Sequence, residues 1–435
     1  MISKEVLRQI LIQQQQTIQK QEHTIPRELA SEILPWFKDK RVLILTGLRR
    51  SGKSTLLHQL MQKITQSCYV NFEDERFLGF PASEFESLHE VLLEIYGNAH
   101  IYFFDEIQNI PHFETFVRRL QDQGKKIIIT GSNARLLSFE FGTRLTGRYK
   151  QFDVYPFSFY EYLQHSDLTP TNEWFYLTEK KAVLIRQFNQ YMTKGGIPEY
   201  LKNNDIDYVK TIYENILYRD IIARYLIKQQ NTLRELVNIL VTNMASPFTY
   251  NSLKKTVKLS NAITVKEYIS YLQNSYLFFE VQKFDYSLKK QLSAPKKIYV
   301  VDPIFHQVCG MNISPNKGRV LENLVFLHLK RNKHDIYYFD RIHQCDFLIK
   351  DAAKITQAIQ VCYVLDETNR ERELNGLLEA LSTFHLKEGI LLTQDQEEDL
   401  HIDKKIIHVL PVWKWLLSKK LKLKEKYEKK TRSKK

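Results

Sequence analysis

The stretch 41–57, RVLILTGLRRSGKSTLL, constrains the fold of this chain more than any other. Residues 42–45 are a short apolar run and read as a buried strand. Residues 47–54 fit G-x-x-x-x-G-K-S, and Leu56, Leu57 and Leu60 follow at helical spacing. Strand, glycine loop and helix in that order turn the pattern into a polyphosphate site. The loop wraps phosphates with backbone N–H groups, so the binding segment is Gly47, Leu48, Arg49, Arg50, Ser51, Gly52, Lys53, Ser54 and Thr55. Gly47 and Gly52 permit close approach because they lack a Cβ. The helix that follows presents its positive end to the phosphates. Lys53 is expected to bridge the β- and γ-phosphates, and Ser54 to ligate Mg²⁺. The expected cofactors are ATP and Mg²⁺.

Other segments complete such a site. Residues 68–72, CYVNF, read as a strand. HIYFFDE at 100–106 is an apolar strand ending in adjacent carboxylates. It would deliver Asp105 to the Mg²⁺ shell beside Ser54, with Glu106 polarising the attacking water. A helix N-terminus with two capping acids is the alternative reading of that pair. KIIIT at 126–130 is another buried strand, followed by Gly131, Ser132 and Asn133. Asn133, or Ser132, is expected beside the γ-phosphate if this strand neighbours the glycine-loop strand; Gly-Ser-Asn is equally good turn chemistry. Arg148, in LTGRY, is the candidate arginine finger, for its own site or a neighbour's. A plain surface arginine is the other reading.

Composition narrows the class. The chain has 435 residues, 43% hydrophobic and 26% charged, enough for more than one globular core. No apolar run approaches bilayer length, and the first residues show no secretory signal pattern. The four cysteines form no C-x-x-C, which gives no zinc motif and suits a reducing compartment. A cytoplasmic protein without a membrane partner is expected. The net charge is +13; residues 418–435 hold ten Lys/Arg against two Glu, a net of +8, leaving a mildly basic remainder. That tail is either a nucleic-acid contact or a solvated extension.

The chain divides by pattern. Residues 1–24 read as an amphipathic helix ending in a Gln-rich, solvated stretch, and 25–156 as the nucleotide core. The segment 25–27 is positioned to lie over the adenine. Residues 157–230 read as helices forming a lid on that core, with Gly195–Gly196–Ile197–Pro198 as a hinge or tight turn. Residues 231–301 read as helix, turn, helix and hairpin, a winged helix with 261–274 as recognition helix. Lys254, Lys255 and Lys258, with Lys289, Lys290, Lys296 and Lys297 in the wing, are candidate phosphate contacts. A protein-docking module is the competing reading. Residues 302–417 form a further α/β unit, and 418–435 the basic tail.

The order GLRRSGKST, YVNFEDER, IYFFDEIQ, IITGSNARLLS, LTGRY, YPFSFYEYL, GGIPEYL and LYRDIIARY resembles prokaryotic AAA-type ATPases that carry a winged helix and a restriction-endonuclease-like domain. The resemblance implies an α/β fold: a P-loop NTPase (AAA-like) parallel sheet with helical lid, winged helix and C-terminal restriction-endonuclease-like domain. It implies an ATP-driven switch or motor. In the endonuclease-like core a helix Glu, a strand Asp and an E-x-K motif gather Mg²⁺. Glu322 and Asp346 match; Gln360–Val361–Cys362 stands where E-x-K is expected. Cys362 supplies no positive charge beside a scissile phosphate, so a degenerate, binding-only site is expected. The expected function is a Mg²⁺-dependent ATPase coupled to DNA-binding accessory modules, with double-stranded DNA as partner and a homo-oligomer or protein partner possible. An ATP-controlled nuclease and a nucleotide-dependent protein scaffold are the alternatives.

Overall fold

The computed structural model describes residues 2–19, 24–132, 147–310, 316–418 and 421. The chain forms two compact units, Met1–Pro156 with Asn274–Tyr276, and Phe157–Gln273 with Leu277–Lys435.

The first unit is built on five parallel strands: β1 (Val42–Thr46), β2 (Ser67–Asn71), β3 (Ile101–Asp105), β4 (Lys126–Gly131) and β5 (Tyr149–Asp153). Their spatial order is β2-β3-β4-β1-β5. Both faces are buried, which explains continuous apolar runs rather than alternation. Val42 and Ile44 join one core with Phe72, Phe104 and Phe116. Leu43 and Leu45 join the other with Leu56, Leu57 and Leu60. β4 pairs with β1 in register, Leu43 opposite Ile128 and Thr46 opposite Gly131, so the end of β4 stands next to the glycine loop.

The helix Lys4–Gln19 packs Leu7, Ile10 and Leu11 into the first core. Its Gln-rich part is not all solvated. Gln14 is buried, accepts from the Asn71 N–H at 2.9 Å and donates to the Asn71 carbonyl at 3.0 Å. One side chain thus satisfies both backbone groups at the end of edge strand β2.

The second unit carries eight strands in the order β12-β13-β11-β10-β9-β8-β6-β7. They are β6 (Phe278–Lys283), β7 (Lys296–Val300), β8 (Asp335–Asp340), β9 (Gln344–Asp351), β10 (Lys354–Val361), β11 (Glu388–Thr393), β12 (Glu398–Ile402) and β13 (Lys405–Pro411). The helices Gln230–Thr242, Tyr250–Thr256 and Ala262–Asn274 precede the β6–β7 hairpin, as the pattern suggests. The hairpin, however, is continuous with the larger sheet: β6 pairs with β8, Gln282 opposite Tyr337. Its connection contains a helix, Leu288–Ser293, rather than a bare basic turn.

The helices of 157–230 belong to this second unit. Within it, the buried Asp302 carboxylate accepts from the Gly196 N–H at 2.7 Å and the Ile304 N–H at 3.0 Å. The GGIP segment is therefore a pinned turn. Gly195 has φ +68°, and a Cβ there would come within 1.7 Å of Asp302 Oδ1.

Candidate active site

Four neighbouring strands bring the nucleotide residues together. β1 ends at Thr46 and the loop leads into the helix Lys53–Met61. The loop lies tight on its neighbour: a Cβ on Gly47 would come within 2.0 Å of the Val154 carbonyl oxygen. From behind, buried Arg27 donates to the Ser51 carbonyl at 2.7 Å and the Tyr155 carbonyl at 2.6 Å. Arg27, in the segment expected over the adenine, thereby grips the loop's backbone. At the other side of the loop, Arg49 pairs with Glu73 at 2.6 Å. The hydroxyl of Tyr276, counted with this unit, lies 2.7 Å from the Thr46 hydroxyl and 2.9 Å from Asp153 Oδ1.

Lys53 is buried, donates to the carbonyls of Gly47 at 3.3 Å and Leu48 at 3.2 Å, and lies 3.4 Å from Glu106 Oε1. Asp105, at the end of β3, accepts hydrogen bonds from Ser54 and Thr130, and from Tyr69 at 3.2 Å. The Thr130 hydroxyl also accepts from the Glu106 N–H at 2.8 Å. Glu106 has φ +50°, a left-handed backbone that carries strain in a non-glycine residue. Thr130 holds that turn so that the Glu106 side chain faces Lys53.

The electrostatics separate the two acids. Burial, then the neighbouring Glu106 charge, push the Asp105 carboxyl up, against its hydrogen bonds to Thr130 and Ser54. Burial also works on Glu106, but the Lys53 ammonium and the Gln108 amide outweigh it and hold the group below its ordinary range. Glu106 is therefore ionised at neutral pH, as a proton acceptor must be. Gln108 donates through Nε2 to Glu106. Two buried polar atoms, Ser51 Oγ and Gln108 Oε1, have no partner among the described residues. Orphaned groups at the loop and at the end of β3 fit a polar ligand there. The Ser54 hydroxyl with the Asp105 carboxylate is an all-oxygen donor set of the kind Mg²⁺ takes.

Two further residues were expected at the site. Asn133 lies outside the described residues, while Ser132 is buried at the end of β4. Arg148 immediately precedes β5, with its backbone carbonyl accepting from Val42 N–H at 2.9 Å and its guanidinium on Asp122 at 2.8 Å. That is the start of β1, whereas the loop follows its end, about 15 Å along the strand. The reading of Arg148 as a finger for its own site is corrected by that geometry. Tyr69, Gln108 and Thr130 lie in segments that carry the family resemblance but had no role assigned there, and Arg27 and Tyr276 lie in none of those segments. Only the position of Thr130 at the end of an apolar strand beside β1 pointed to it.

In the second unit, Glu322 on the helix Lys317–Arg331, Asp346 on β9 and Gln360 on β10 do converge. The Gln360 carbonyl, at the place of the Glu of E-x-K, accepts from the Asp346 N–H at 3.1 Å, and its amide donates to Glu373 at 2.6 Å. Cys362 is buried in an apolar core with Leu348, Leu377 and Leu391. Lys296 and Lys297 are corrected as phosphate contacts, because both are buried. Lys296 donates to the carbonyls of Leu292 and Ala294, at 2.9 Å and 2.8 Å. Lys297 joins Glu322 and Asp346. Among the described residues, no helix is long and apolar enough to cross a membrane.

Comparison with known proteins agrees with the first unit's geometry. Residues 39–163 match the family model of an AAA domain, and residues 185–312 that of a domain of unknown function. The chain is 33% identical to the uncharacterized protein MJ1544 of Methanocaldococcus jannaschii, over 96% of this chain and 97% of that one. It is 27% identical to an uncharacterized protein of Haemophilus influenzae, over 90% and 98% of the two chains. Among solved structures it is similar to a Walker-type ATPase of Pyrococcus abyssi, with 16% identity, TM-score 0.43, and 66% and 96% of the two chains covered. The loop on β1 and the acid pair on β3 lie within the segment that matches an AAA domain, so residues 39–163 carry a P-loop AAA-type ATPase domain, and the chain belongs to the same family as the uncharacterized protein MJ1544.

Proposed function

We propose that this ATPase hydrolyses ATP with Mg²⁺ and couples binding and hydrolysis to rearrangement of DNA-binding modules in its C-terminal half. The nucleotide part rests on one observation: Lys53, Ser54, Asp105 and Glu106 meet at the C-terminal ends of the central parallel strands, where Ser51 Oγ and Gln108 Oε1 stand unpartnered. Lys53 takes the β- and γ-phosphates, and the loop N–H groups hold the rest of the polyphosphate. Ser54 and Asp105 would hold Mg²⁺, which when bound would supply charge neutralisation for the phosphoryl group. Glu106 accepts the proton of the attacking water, and Gln108 orients the Glu106 carboxylate. Arg148, far from its own loop, serves only a neighbouring subunit, which makes the active form an oligomer.

The DNA part rests on charge. Lys255, Lys258, Lys289 and Lys290 are exposed around the helices and hairpin of 250–300, and the tail adds ten Lys/Arg. Such groups gain affinity by counterion release.

The test is ATP hydrolysis with and without double-stranded DNA, at two salt concentrations. Lys53→Ala is expected to lose nucleotide binding. Glu106→Gln is expected to keep binding while hydrolysis falls on the order of 10²-fold or more. A wild-type rate in Glu106→Gln would remove Glu106 from the chemistry. DNA stimulation that survives removal of 418–435 supports coupling through the folded modules. Hydrolysis indifferent to DNA would sink the coupling.

A further inference from the structure

The second unit encloses ionisable side chains that the nucleotide chemistry does not use. Lys297 lies on β7, the edge strand of the eight-stranded sheet, and only 1% of its side chain is exposed. Its ammonium lies 2.9 Å from Glu322 Oε1 and 2.8 Å from Asp346 Oδ1. An outer set of bonds fixes the two acids. Tyr299 donates to Glu322 Oε1 at 2.7 Å, and the Val361 N–H donates to Asp346 Oδ2 at 3.0 Å. Gln360 ties the backbone of Asp346 to Glu373. None of these side chains is among those with a buried polar atom lacking a partner.

Two neighbouring buried carboxylates need a cation. Burial, then the Asp346 charge, push the Glu322 carboxyl up. Burial alone would pull Lys297 down, but Asp346 and Glu322 raise it further, so the ammonium stays charged. An ammonium is a compact charge with three donors. Mg²⁺ between the same oxygens demands contacts near 2.0–2.1 Å and retains several waters. Lys297 already stands in that space, tied to both acids.

We propose that Lys297 is the resident cation of the Glu322–Asp346 pair: a tethered ammonium that fixes edge strand β7 to the core and closes the pair to divalent ions. The positive charge absent at Cys362 is thus supplied from a different strand, and it is spent on the two acids rather than on a phosphate. The integrity of this unit is then independent of divalent metal, and the pair does not support metal-dependent phosphodiester cleavage.

The test is Mn²⁺ binding to the full-length chain without nucleotide, followed by the EPR signal of free Mn²⁺, together with thermal unfolding. Wild type and Asp346→Asn are expected to bind Mn²⁺ alike, and the wild-type Tm to ignore Mn²⁺ and EDTA. Lys297→Ala is expected to unfold at lower temperature and to gain an extra Mn²⁺ that raises its Tm by several degrees. Asp346→Asn in the Lys297→Ala background should remove that ion. Mn²⁺ binding by wild type that Asp346→Asn abolishes would overturn the proposal. So would Mg²⁺-dependent plasmid cleavage by wild type that Asp346→Asn abolishes, or a folded Lys297→Ala that gains no ion. If Lys297→Ala does not fold, Lys297→Met keeps the bulk without the charge, and the comparison of wild type with Asp346→Asn decides alone.

Discussion

Arg27 and Thr130 were given no role by the motifs, yet each holds part of the site. Arg27 spends its guanidinium on two backbone carbonyls, one of them in the loop. Arg27→Ala leaves both acceptors without their charged donor, at a cost of about 2 kcal/mol. The expected outcome is a weaker ATP affinity with a normal rate at saturation, read from a KM-against-kcat comparison. Thr130 sits between the two acids, bonded to the Asp105 carboxylate and the Glu106 N–H. Thr130→Val keeps the shape and removes both bonds. Its hydrolysis should fall by about tenfold or more while ATP binding persists, because the Glu106 turn loses its partner. Nothing local marks Arg27, and Thr130 is marked only by its place at the end of an apolar strand. Lys53, Asp105 and Glu106 were legible because their chemistry fixes residue type and spacing. Arg27 was not, because its partners lie 24 and 128 residues away.

At the level of elements, the parallel strands were legible because burial on both faces leaves continuous apolar runs. Gln14 was not. Its neighbours Gln13 and Gln16 are exposed, and no local signal separates a buried glutamine from a solvated one. Gln14→Ala should cost about 2 kcal/mol, since it strips two bonds from Asn71 at the end of β2. Chemical denaturation would show it as a shift in midpoint. The hairpin β6–β7 was read as a free wing because its parallel partner β8 lies 55 residues on, beyond any local pattern. Partners 25 and 49 residues away hid Lys297, whose basic neighbours made it look like surface. The GGIP segment was legible as a break but not as a pinned one. Gly195→Ala meets Asp302 and adopts a glycine-only backbone, so roughly 2–3 kcal/mol of destabilisation is expected.

Across the whole molecule, pH is the accessible probe. Burial lifts Asp302 to about 7, against the pull of its two N–H donors. The unfolded chain releases that proton near pH 4. Between those values the folded chain binds the extra proton, so stability falls as pH rises across the window. The Tm of wild type should therefore drop more steeply from about pH 5 to pH 8 than that of Asp302→Asn. On a shorter timescale, the partners of Lys53 shape how nucleotide arrives. Its ammonium is held by two loop carbonyls and Glu106. A triphosphate can claim it only by exchange. Association should then show two phases, a concentration-dependent encounter and a slower isomerisation whose rate saturates. Glu106→Gln removes one hold on the ammonium, so its slow phase should run faster even though its hydrolysis is lost.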